Sequence, residues 1–160
     1  MQERIEGFAK ALVLADLKAT DALGAAIANG LRRGDCVALE GDLGAGKTTL
    51  ARAILRTLGV TEIVPSPSFT LVQAYETARP PVRHFDLYRI ENLAELDELG
   101  LDEALDEGAA LIEWPERAQG RLPQDALHVA LSIAGETARN ARISGPSRWS
   151  ALFAEEVCDV

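Results

Sequence analysis

Lysine is scarce in this chain. Only Lys10, Lys18 and Lys47 occur among 160 residues, against 25 acidic ones, and the formal net charge is −9. A surface so acidic repels a phosphate backbone as a whole, which argues against direct, tight nucleic-acid binding. Cysteine is scarcer still. Cys36 and Cys158 stand far apart and form no Cys-x-x-Cys pair, which argues against a disulfide framework or a zinc site. No run approaches the roughly 18–20 apolar residues that span a bilayer. The apolar stretch 11–15 is shorter than a secretory core and has no small-residue cleavage site after it. These absences predict a cytoplasmic protein without a membrane partner. The length fits one domain over 1–160, and 48% hydrophobic residues can fill an ordinary core.

Strand-like and helix-like patterns alternate along the chain, the mark of an α/β domain. Residues 11–15 read as a first strand. Thr20 reads as a helix N-cap before Leu23, Ile27 and Leu31, which share one helical face, and Gly30 and Gly34 close that helix. Residues 35–40 form a short apolar strand, and 47–58 form a helix with Leu50, Ile54 and Leu58 on one face. The Pro-Ser-Pro-Ser at 65–68 is a loop, because proline excludes helix interior. Strands are expected at 69–75 and 82–88. Asn92 with Glu95 has the form of a capping box opening one helical segment that Gly108 closes. The run 109–112 is wholly apolar and suits a buried parallel strand. Residues 126–133 and 138–143 read as a late antiparallel pair, and Trp149, Leu152, Phe153 and Val157 as a C-terminal helix. The expected architecture is a mixed sheet with a parallel core, flanked by helices.

One motif carries chemistry by itself. Gly41-Asp42-Leu43-Gly44-Ala45-Gly46-Lys47-Thr48 fits G-x-x-x-x-G-K-[ST], the phosphate-binding P-loop, with Thr49 next in the helix. The three glycines let the backbone curl so that successive N–H groups face inward. Those amides and the helix N-terminus form an anion site, Lys47 adds charge for the outer phosphates, and the Thr48 hydroxyl can ligate Mg²⁺. An apolar strand before the motif and a helical pattern after it are the context this mechanism requires. The chain has no Asn/Thr-Lys-x-Asp element, so ATP (and its product ADP) is preferred over a guanine nucleotide.

Two carboxylates compete for the second metal role. Glu113 follows the most apolar strand, and Asp86 follows a less apolar one. Strand quality favours Glu113 as metal ligand and leaves Asp86 to orient or deprotonate an attacking water. Ser68, in the loop between the P-loop helix and the Asp86 strand, is the candidate hydroxyl for a γ-phosphate switch.

Four blocks in order carry a resemblance. They are the P-loop at 41–48, Ser-Pro-Ser-Phe at 66–69, His-Phe-Asp-Leu-Tyr-Arg at 84–89 and Glu-Trp-Pro-Glu at 113–116. Over about 130 residues the chain resembles the bacterial TsaE (YjeE) family, small P-loop ATPases needed to make threonylcarbamoyladenosine in tRNA. The resemblance implies that the ATPase works with a TsaB–TsaD protein pair, which carries the tRNA chemistry. It also implies that Lys47 holds phosphates, that Thr48 and Glu113 hold Mg²⁺ and that Asp86 serves hydrolysis. Trp114 would shape the site or the partner surface, and Thr20 would lie near the nucleotide base. Ser68 stands where the family usually has threonine, which keeps the hydroxyl and drops a methyl.

Two other classes remain open at this level. A small-molecule kinase would need an acceptor pocket and usually an Arg-rich lid, yet no Arg or Lys occurs between Arg89 and Glu116. A nucleotide-binding module without hydrolysis would not need Asp86. The segment 91–107 holds eight carboxylates and no Lys or Arg, either a solvated helical surface or a docking face for a basic partner. Arg89 and Arg117 are candidates for a transition-state cation.

Overall fold

The computed structural model describes residues 7–62, 64–67 and 70–153. Seven strands form one sheet in the order β1-β7-β6-β2-β5-β4-β3. They are β1 (Gly7–Leu14), β2 (Cys36–Glu40), β3 (Val72–Tyr75), β4 (Val82–Asp86), β5 (Ala109–Glu113), β6 (Leu127–Ile133) and β7 (Arg139–Pro146). The centre is parallel: β6, β2, β5 and β4 run the same way. β7 is antiparallel to both β6 and β1, and β3 is antiparallel to β4. The expected mixed sheet with a parallel core and a late antiparallel pair is what forms.

Alternation decides which side chain faces which layer. Along β4 and β5, Val82, Ala109 and Leu111 join the core that includes α1 (Leu17–Gly30) and α2 (Lys47–Thr57). Phe85, Ala110 and Ile112 join a second core under α3 (Leu93–Leu99) and α4 (Leu101–Glu107). The period of two therefore puts His84, Asp86 and Glu113 on the α1/α2 side. Leu50 and Ile54 of α2 are fully buried, each contributing about 1.5–3 kcal/mol by removal from water. α1 and α2 touch closely, for a Cβ on Gly24 would lie 2.5 Å from the Cβ of Ala53.

Several expectations shift at element ends. The N-cap of α1 is Asp16, whose carboxylate accepts from the Ala19 N–H, and Thr20 sits inside the first turns, buried. Asp and Thr are both good caps. Asp16 wins because β1 ends at Leu14 and the chain turns there. The segment after Asn92 is two helices rather than one: Gly100, at φ 78°, ends α3 and starts α4. The capping box at Asn92 and Glu95 is present. β4 stops at Asp86 rather than running to 88, and β3 begins only at Val72. Residues Ser147–Phe153 form a 3-10 helix instead of an α-helix, with Trp149 and Phe153 buried. Val157 lies outside the described residues. No helix among the described residues is long and apolar enough to cross a membrane.

Candidate functional site

Parallel strands leave their carboxyl ends along one edge of the sheet, the usual place for a ligand in such folds. β2 delivers Gly41 to that edge, β4 delivers Asp86 and β5 delivers Glu113. β7 starts there, at Arg139.

The loop 41–46 connects β2 to α2. Gly41 has φ 149°, and a Cβ there would lie 2.6 Å from the Leu131 carbonyl oxygen, so both conformation and space demand glycine. Gly46 caps α2 at φ 104° and no side chain caps the helix, so the first-turn amides keep their donors for an anion.

Lys47 is buried, with 5% of its surface exposed. Its ammonium donates to the carbonyls of Gly41 and, at 3.1 Å, Asp42, and lies 4.0 Å from the Trp114 ring centre. Burial pulls its pKa below the usual lysine value, opposed by the charges of Glu113, Glu116, Asp86 and Asp42. Trp114 has φ 60°, an uncommon conformation for a bulky residue, which turns its ring over the site. Tyr88 packs on it at 4.8 Å between ring centres, and the Arg117 guanidinium lies 5.6 Å from the Tyr88 ring.

The two sequence candidates for metal binding are in contact. The Thr48 hydroxyl lies 3.0 Å from both Glu113 carboxylate oxygens. His84 Nε2 lies 2.7 Å from Glu113 Oε2, and both residues are buried. In the tautomer that carries its proton on Nε2, His84 donates to the Glu113 carboxylate. Asp86 stands directly beside Glu113 on the neighbouring strand, and its Oδ1 accepts from the Tyr88 N–H at 2.9 Å. The Asp86 N–H donates to the Leu71 carbonyl at 2.9 Å, and the Leu71 N–H donates to the Pro67 carbonyl at 2.8 Å. Leu71 itself has φ 67°.

These side chains share a cavity of about 240 Å³. It is lined by Leu43, Gly44, Gly46, Lys47, Thr48, Thr49, Asp86, Glu113 and Trp114, with Ser66 and Arg139. A neighbouring, more apolar hollow of about 180 Å³ lies across the loop and includes Thr20, Ala45, Gly46, Thr49 and Leu131. Thr20 is thus close to the loop but apart from the carboxylates. Ser68 lies outside the described residues. Among the described residues no three His, Cys, Asp or Glu side chains cluster as a metal cage. One hydroxyl and one or two carboxylates form the sparse oxygen set that suits Mg²⁺ held jointly with phosphates.

Sequence reasoning missed two residues. His84 was visible only as the start of His-Phe-Asp, and its partner Glu113 is 29 residues away. Arg139 reaches the loop from β7, donating from Nε to the Ala45 carbonyl at 3.1 Å and from Nη2 to the Gly44 carbonyl at 3.3 Å.

Residues 14–141 match the family model for "Threonylcarbamoyl adenosine biosynthesis protein TsaE". The "tRNA threonylcarbamoyladenosine biosynthesis protein TsaE" of Bacillus subtilis is 38% identical over 125 residues, covering 78% of each chain. The protein of the same name from Rickettsia felis is 37% identical over 143 residues, covering 89% of this chain and 84% of its own. Among solved structures, Bacillus subtilis YdiB superposes with a TM-score of 0.74 at 30% identity, covering 96% of both chains.

Proposed function

Since the chain belongs to the TsaE family of threonylcarbamoyladenosine biosynthesis proteins, we propose that it is a Mg²⁺-dependent ATPase subunit of the machinery that modifies tRNA. It acts in the cytoplasm as a single P-loop domain, on a TsaB–TsaD-type protein complex, and reaches tRNA only through that complex. The observation that carries the hydrolytic part is the Thr48–Glu113 contact at the end of the P-loop, with Asp86 on the adjacent strand.

The residues divide the work. The amides of Gly44 and of Gly46 to Thr48 hold the phosphates, and Lys47 turns its charge from the loop carbonyls to the outer ones. Mg²⁺, when bound, neutralises charge on the outer phosphate oxygens. Thr48 and Glu113 offer it hard oxygen ligands, and His84 keeps the Glu113 carboxylate in one orientation. Asp86 orients the attacking water and takes its proton. Trp114 covers Lys47 and keeps bulk water from the phosphates. Ser66 lines the same cavity, and Ser68 is the hydroxyl assigned to sense the γ-phosphate. Thr20 belongs to the base side, and Thr49 lines both hollows. A net charge of −9 supports a protein partner rather than a direct hold on tRNA.

The test is Asp86→Asn. ATP turnover with the partner complex should fall about a hundredfold or more, the size of a lost general base, while ADP affinity by calorimetry stays within a few-fold. Removing Mg²⁺ with EDTA should abolish turnover in the unaltered chain. Unchanged turnover by Asp86→Asn would remove the hydrolytic role from Asp86.

A further inference from the structure

Arg139 spends its side chain on backbone carbonyls. It opens β7 opposite Leu14 of β1 and Ile133 of β6, so its own backbone is fixed on both sides. A guanidinium has five N–H donors in a rigid fork. Two bonds from Nη1 go to Gly135, at 3.1 Å, and Ala138, at 2.8 Å, in the turn between β6 and β7. The other two reach Ala45 and Gly44 in the phosphate loop, 94 and 95 residues away. One side chain therefore ties the β6–β7 turn to the P-loop.

The tie has a directional consequence. A trans peptide is planar, with C=O and N–H on opposite sides. Holding the Ala45 carbonyl toward β7 points the Gly46 N–H the other way, at the start of α2. The Gly44 carbonyl shares its peptide with the Ala45 N–H, which closes a turn onto Asp42 at 3.0 Å. Arg139 thus fixes both peptides between residues 44 and 46. It also lines both the phosphate-side cavity and the apolar hollow beside it, so a positive charge stands where a nucleotide's first phosphates would cross from one to the other.

We propose that Arg139 is a positioning residue for the nucleotide's diphosphate: it pins the turn at Gly44 and Ala45, holds the 45–46 peptide with its N–H in an anion-accepting orientation and adds a fixed cation behind it. The proposal rests on the nucleotide-binding reading of the P-loop. A guanidinium that merely braced the β6–β7 turn would need no bond to Gly44 or Ala45.

The experiment is calorimetric titration of ADP into the full chain and into Arg139→Ala and Arg139→Lys, with thermal midpoints recorded for each. The unaltered chain should bind ADP, and its failure to do so would overturn the nucleotide reading and this proposal together. With binding established, Arg139→Ala should weaken ADP about tenfold or more, as expected for lost charge-assisted bonds. Arg139→Lys, which keeps the charge and loses the fork, should fall between. Millimolar guanidinium ion should restore part of the ADP affinity of Arg139→Ala and leave the unaltered chain unchanged. Equal ADP affinity in a folded variant overturns the proposal. So does a loss that tracks the thermal midpoint and shows no guanidinium rescue, which would reduce Arg139 to a brace. If Arg139→Ala does not fold, Arg139→Lys decides: ADP affinity equal to that of the unaltered chain overturns the proposal.

Discussion

On one face of the sheet, α1 and α2 run for 14 and 11 residues and pack at the closest approach Gly24 allows. On the other, α3 and α4 last 7 residues each and meet at Gly100. β4 and β5 serve both faces by alternation. Toward α1 and α2 they send His84, Asp86 and Glu113, all buried; toward α3 and α4 they send Phe85, Ala110 and Ile112. Ionisable groups out of water must be held by fixed partners or they cost several kcal/mol. The chain places them against its longest helices, where Thr48 and His84 stand within hydrogen-bond reach of Glu113. Among the described residues the thinner face buries apolar side chains inside and carries an acidic coat outside, with Arg83–Glu107 partly exposed and Arg121–Asp97 exposed.

That contrast can be broken or sharpened at three depths. The largest effect belongs to Lys47→Ala, which should abolish measurable ADP and ATP binding in calorimetry; retained tight binding would take the nucleotide away from the α1/α2 face altogether. Next comes packing. Leu50→Ala, at a fully buried α2 position, should cost about 3–5 kcal/mol in urea denaturation, while Leu101→Ala, 7% exposed on α4, should cost about 2 kcal/mol. Equal costs would mean the two faces are equally consolidated. The smallest effect is a rate. Cys36 belongs to the thinner core, and its thiol is pushed up to about 12 by burial and then by Asp125 and Asp35. At pH 8 only about one thiol in ten thousand is then the reactive thiolate. In a Cys158→Ser background, native alkylation should be far slower than alkylation in urea, and comparable rates would reveal a face that opens freely.

What the sequence disclosed follows the range of the forces involved. The P-loop, the capping box and the apolar β5 strand are local patterns, and each formed where expected. Glu113 was favoured over Asp86 on strand quality alone, and the structure puts Glu113 against Thr48. Features set by distant partners were hidden. Nothing near Arg139 in sequence marks it as a partner of Gly44. His84 looks like any strand residue until β4 and β5 pair in register, with Asp86 opposite Glu113. Gly100 sits inside a continuous apolar rhythm, so only the left-handed turn reveals two helices. Asp16 and Thr20 are both plausible caps, and the end of β1 chose between them.

Leu71 gives the site a mechanical property. A leucine at φ 67° is costly, about 1–3 kcal/mol, and its two backbone groups face in opposite directions along the chain of contacts. The N–H is tied to Pro67 in the serine loop, and the carbonyl is tied to the Asp86 amide. The serine loop and the Asp86 backbone are therefore joined through the two peptides of one strained residue, with no side chain as intermediary.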